Sequence, residues 1–180
     1  TNLTALGIVK EKEIGTMEQL QVTPLRPSEL IMGKLIPCIV IGFIDVIFIL
    51  IVGYLVFAIP MRGSIALLLV LSCFYLFSTL GLGIFISTIA NTQEQSMILT
   101  FLIVITMNTL SGIMFPIENM PRIIQYLTYI MPIHYFAVIV RGILLRGIGM
   151  AILWPQALAL LLLGIATLGL SINRLRKKLY

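Results

Sequence analysis

Leu35-Ile-Pro-Cys-Ile-Val-Ile-Gly-Phe-Ile-Asp45-Val-Ile-Phe-Ile-Leu-Ile-Val-Gly-Tyr-Leu-Val-Phe-Ala-Ile59 is an apolar run with a single charged residue. About 20 apolar residues in helical form cross the hydrocarbon core of a bilayer. Lipid offers no hydrogen bonds, so a helix, which closes its own backbone bonds, is the economical way across. The runs at 65–90, 96–115 and 151–172 repeat the pattern, separated by short polar turns at 60–64 and 91–95. The whole chain is 59% hydrophobic and only 11% charged, against about 25% charged in soluble domains. The reading is an all-α protein, a polytopic transmembrane helix bundle.

Upstream of this run lies the longest polar interlude, within residues 10–34: Glu11-Lys12-Glu13-Ile14-Gly15-Thr16-Met17-Glu18-Gln19-Leu20-Gln21-Val22-Thr23-Pro24-Leu25. Gly15 allows a turn, and Thr16 with Gln19 has capping-box spacing, in which two orphan N–H groups are closed reciprocally. Pro24 ends the short helix by removing a donor and disfavouring helical geometry at Thr23. A rod of roughly 10 Å is too short to stand alone, so it is expected to pack on a partner. Ser28 is the expected cap of the next helix, with Glu29 at its positive end and a kink at Pro37. Residues 1–9 read as the last turns of a span that begins upstream, which predicts a C-terminal part of a longer subunit.

The string Glu13-Ile-Gly15-Thr16-Met-Glu18-Gln19-Leu20-x-Val-Thr23-Pro24 resembles the cytoplasmic coupling segment of ABC-2-type transporter permeases, the membrane subunits of one class of ATP-driven exporters. The resemblance implies a six-span subunit, of which the end of the second span and the third to sixth are present. It implies that Glu13, Gly15, Thr16, Glu18, Gln19, Leu20, Thr23 and Pro24 dock on separate ABC ATPase subunits, which bind ATP and Mg. It also implies a dimer with a second permease copy or a paralogue. The subfamily with the most similar wording exports drugs and other amphiphiles, often with a periplasmic adaptor. Its members sit in the bacterial or archaeal inner membrane.

Basic residues set the orientation. Lys10, Lys12, Arg26, Lys34, Arg174, Arg176, Lys177 and Lys178 fall on one side; Arg62, Arg122, Arg141 and Arg146 fall on the other. The positive-inside rule puts the first group, and with it the tail 173–180, in the cytoplasm. The net charge of +5 therefore serves topology and lipid contact, and forms no broad basic face for nucleic acid.

Residues 116–149 differ in kind. Pro116, Pro121 and Pro132 break the chain, and residues 123, 124, 127, 130 and 131 are apolar on one helical face. A full crossing would carry Arg141 through the core and place the basic tail outside, so an external re-entrant pair is expected. The order of Pro116, Pro121, Pro132 and Arg141-Gly142 resembles the external re-entrant helices of the same family, which roof the translocation path.

Asp45 is costly, since a charge within a span costs about 3 kcal/mol on insertion scales. A lone carboxylate is no proton relay, so a helix-to-helix fastening is favoured over a contact on the export path. Thr79, Gly83 and Ser87 form a small-residue stripe for close helix packing, with Gly42, Gly164 and Gly169 as further packing positions. His134 reads as an interfacial anchor, and Cys38 and Cys73 as free thiols. No catalytic constellation, metal-ligand spacing or phosphate-binding loop is spelled, so no cofactor is expected on this chain. Two rival classes remain: an ion-coupled secondary carrier, which needs a relay of ionisable residues, and a non-transporting scaffold, whose connector docks nothing.

Overall fold

The computed structural model describes residues 2–14, 27–113 and 117–179. Among them every regular element is helical: α1 Asn2–Ile14, α2 Pro27–Leu55, α3 Ile65–Ile89, α4 Gln93–Leu110, α5 Arg122–Tyr129, α6 Pro132–Arg146 and α7 Met150–Leu179, with a 3-10 turn at Ile117–Asn119. The all-α, polytopic expectation holds. Three helices are long and apolar enough to cross a membrane, over Leu35–Leu55, Ile65–Ile89 and Met150–Ser171.

Several boundaries differ from those read off the sequence. α1 continues through Lys10 and Glu13 to Ile14 rather than stopping at residue 9. α2 starts at Pro27, which suits the first helical turn because its missing N–H would be an orphan there. Ser28 therefore lies inside the helix rather than at its cap. α2 runs without interruption through Pro37 and ends at Leu55, four residues before the expected limit at Ile59. Ala58 then turns the chain at φ 48. α4 ends at Leu110 rather than 115: Ser111 caps it, and Gly112 takes φ 81, a left-handed backbone that glycine tolerates best. Its eighteen residues rise about 27 Å. With the polar Gln93-Glu94-Gln95 turn included, α4 is not among the three helices apolar enough to cross, in contrast to the span expected at 96–115.

Caps sharpen the turns. Ser64 accepts from the Leu67 N–H at the start of α3, and Thr92 accepts from the Gln95 N–H at the start of α4. The Gln95 amide oxygen reaches back to the Asn91 N–H at 2.9 Å.

The bundle is held by α3 against α7, the most extensive helix contact. Small residues let these two backbones approach. A Cβ on Gly81 would lie 2.5 Å from Thr167 Oγ1 and 2.9 Å from the Leu168 backbone nitrogen, and one on Gly164 would meet Ser78 at 3.5 Å. Hydroxyls face across the same seam: Ser171 Oγ lies 2.9 Å from the Gly81 carbonyl and Thr167 Oγ1 3.4 Å from the Ser78 carbonyl, each sharing its one proton with a closer carbonyl of its own helix. Such bonds give modest stabilisation, about 0.6 kcal/mol on average within membranes.

α6 completes the main core. Ile139 and Ile143 pack with Leu68, Leu71, Leu153, Ala157 and Leu160, and Phe136 stacks on Tyr75 with centroids 4.2 Å apart. A smaller cluster of Leu35, Leu80 and Ile84 joins α2 to α3 near the other end.

Candidate functional site

The two ends of the bundle are chemically different. At one end Glu13, in the last turn of α1, accepts a hydrogen bond from the Gln93 N–H at 3.2 Å. This ties α1 to the α3–α4 turn. Arg174, on the last turns of α7, lies 5.2 Å over the Phe85 ring near the end of α3. The end of α7 and the end of α1 therefore share one side. Of the predicted coupling residues, Glu13 is placed here, exposed. Gly15, Thr16, Glu18, Gln19, Leu20, Thr23 and Pro24 lie outside the described residues.

At the opposite end the α2–α3 loop meets the end of α6. The Arg62 N–H donates to the Leu144 carbonyl at 3.3 Å, and Gly147, at φ 65, sits against the Arg62 backbone. α5 and α6 bend by 77°. Pro121 precedes α5 and Pro132 opens α6, whose apolar face enters the core, while Arg141 is exposed. Gly142 is buried against Leu153. Pro116 lies outside the described residues. The pair thus leaves the top of α4 and returns at Gly147 to the level of the α2–α3 loop.

His134 is more than an interfacial anchor. Its Nδ1 lies 3.2 Å from the Ser111 carbonyl, which joins the start of α6 to the end of α4. Thr128 Oγ1 donates to the Leu110 carbonyl at 2.8 Å alongside it. Ser111, Glu118, His134 and Arg141 line an open hollow of about 470 Å³ at this end.

Between α1, α2 and α3 lies a groove of about 290 Å³ that contains Asp45, Cys38, Gly42, Thr4, Tyr75 and Thr79. Asp45 stands midway along Leu35–Leu55. Asp45 is exposed and has no hydrogen-bond or ion-pair partner among the described residues, so no fastening is seen among them. Of the Thr79, Gly83 and Ser87 stripe, two residues are buried, and the approach to α7 uses a neighbouring face. Gly83 and Ser87 are buried and Thr79 faces the groove, whereas Ser78 and Gly81, one face over, meet α7. Gly42 and Gly164 do pack closely, but a Cβ on Gly169 would meet nothing within 4 Å. The Ser78-x-x-Gly81 and Gly164-x-x-Thr167 spellings could have marked the seam, since both set small residues one turn apart. Cys38 and Cys73 are free and half-buried. No His, Cys, Asp and Glu group that could hold a metal ion occurs among the described residues.

The ABC-2 type transporter family model matches residues 1–145. The chain belongs to the ABC-2 type transporter family. This ABC-2 chain is 33% identical to the probable multidrug ABC transporter permease YbhR of Escherichia coli, over 98% of its own length and 48% of that protein. It is 36% identical to the inner membrane transport permease YhhJ of the same species, over 97% of its length and 47% of that relative. A more distant relative, ABC transporter G family member 20 of Dictyostelium discoideum, is 24% identical over 83% of the chain and 20% of its own length. The chain therefore spans about half the length of the bacterial permeases it matches. No solved structure matches it.

Proposed function

We propose that this chain is the C-terminal membrane portion of the permease subunit of an ATP-driven exporter of amphiphilic or drug-like molecules. ATP and Mg bind a separate ABC ATPase, and this chain performs no catalysis itself. The permease works as a dimer with a second copy or a paralogue, in a bacterial inner membrane. The end carrying Glu13, Gln93 and Arg174 faces the cytoplasm, in keeping with the excess of basic residues there. The α5–α6 pair is re-entrant from the outside, and its return to Gly147 beside the α2–α3 loop supports that reading.

One observation carries the coupling role. The bond from Gln93 to Glu13 links the helix that leads into the docking segment with the turn that starts α4. A push on residues 15–26 reaches three helices through this joint.

Full-length permease co-expressed with its cognate ATPase is expected to co-purify with it, and inverted vesicles are expected to take up a lipophilic dye on addition of ATP. A permease that recruits no ATPase, and whose vesicles move dye only under a proton gradient, refutes the proposal. Topology is tested with Glu118→Cys and Gly147→Cys in a Cys38→Ala, Cys73→Ala background. Both should react with an impermeant thiol reagent outside intact cells, and Lys177→Cys should react only after permeabilisation. Labelling of the 147 position only after permeabilisation would mean that α5 and α6 cross.

A further inference from the structure

We propose that the groove between α1, α2 and α3 is a binding site for the charged end of a lipophilic organic cation, with the Asp45 carboxylate as its counter-ion. The role of that cation as cargo rests on the exporter reading; its binding does not.

The first argument is the cost of the carboxylate. At mid-span a charged side chain costs about 2.5–3.5 kcal/mol on insertion scales, and more by other measures. Intramembrane carboxylates normally offset this by pairing. Asp45 pairs with nothing among the described residues, and is exposed in a groove rather than packed between helices. A cation that enters the groove supplies the missing charge.

The second argument is the lining. The groove contains no basic side chain among its lining residues, so its field has one sign. Thr4 contributes a hydroxyl that is buried and unpartnered: the residue is 3% exposed, and its Oγ1 has no hydrogen bond. The Thr79 hydroxyl, by contrast, is satisfied by the Tyr75 and Leu76 carbonyls of its own helix. Tyr75 also lines the groove, with one face of its ring stacked on Phe136.

Size and chemistry exclude other occupants. A volume of about 290 Å³ lies at the small end of ligand sites, which run from about 300 to 1,000 Å³. That suits a quaternary or tertiary ammonium with one ring. A hard inorganic cation needs about six or more oxygen ligands, and the groove lining offers one carboxylate with few further oxygens. The ammonium of a lipid headgroup stays at the bilayer surface, about 15 Å from a mid-span residue.

The probe is radiolabelled benzyltrimethylammonium, and its neutral carbon isostere, neopentylbenzene, is the competitor. Binding is measured on full-length permease in zwitterionic nanodiscs without nucleotide. Wild type is expected to bind saturably. Asp45→Asn is expected to weaken binding about tenfold or more, and Asp45→Glu to recover it to within about threefold. The probe should also slow alkylation of Cys38 in wild type and leave it unchanged in Asp45→Asn. Equal binding by wild type and Asp45→Asn overturns the site, as does equal competition by the neutral isostere. Failure of Asp45→Asn to assemble also overturns it, because that outcome makes Asp45 a fastening. Cation binding by a permease that recruits no ATPase refutes the exporter reading alone. Unchanged ATP-driven export of the same cation by an Asp45→Asn permease that has lost binding refutes its role as cargo at this site.

Discussion

Gly15→Val combined with Glu18→Arg is expected to abolish transport-stimulated ATP turnover while leaving membrane insertion and the helix bundle intact. The apolar contacts of the α3–α6–α7 core, which hold the described fold, are made by residues 68–160. If Gly15 makes the turn expected from the sequence, valine there removes the backbone freedom that turn needs. On the proposed docking role, arginine at position 18 reverses a charge against the partner, where like-charge juxtaposition costs several kcal/mol. The force path is short, because α1 ends at Ile14 and Glu13 already grips the Gln93 N–H. ATP hydrolysis by the reconstituted complex, measured with and without transported dye, checks the expectation. Normal stimulated turnover in a correctly assembled double mutant removes the docking claim.

Gly81→Leu should have the largest effect on stability. Even the first carbon of the new side chain would stand 2.9 Å from the Leu168 backbone nitrogen and 2.5 Å from Thr167 Oγ1. The side chain of Thr167 can rotate, but the backbone of α7 cannot yield without opening the seam. Overpacking of this kind costs about 1–3 kcal/mol and sometimes more, a large share of the 5–15 kcal/mol typical of a folded protein. Separation also removes the Ser171 bond to the Gly81 carbonyl. Thermal unfolding in detergent, followed by size-exclusion, should show a marked drop in midpoint for Gly81→Leu and a smaller one for Gly81→Ala. Gly169→Ala is the control: its Cβ meets nothing, and alanine favours a helix by about 1 kcal/mol. A Gly81→Leu protein as stable as Gly169→Ala would mean that the seam is looser than described.

Helix identity was legible in the sequence because a bilayer imposes it. Any run as apolar as Leu35–Leu55 must close its own hydrogen bonds, and a helix does so without a partner. The breaks were legible for a related reason: Pro121 and Pro132 sit where helices start, since proline forfeits only a donor that the first turn never uses. The family was legible in the same way, from local wording in residues 13–24.

What local wording did not carry was azimuth and partnership. Thr79, Gly83 and Ser87 have the right spacing for a packing stripe, but so do many residues on a helix with little polar contrast around its circumference. Only the crossing of α3 and α7 shows that the seam between these two helices runs over Ser78 and Gly81. Asp45 reads alike in sequence whether it fastens two helices or stands open. Its partner would have to come from another helix, and contacts between helices distant in sequence depend on how each is rotated about its axis. The same holds for His134, whose bond to the Ser111 carbonyl exists because two chain breaks bring α4 and α6 together. In lipid every face of a span is apolar enough to meet its solvent, so hydrophobicity fixes depth and leaves rotation to be decided by close packing.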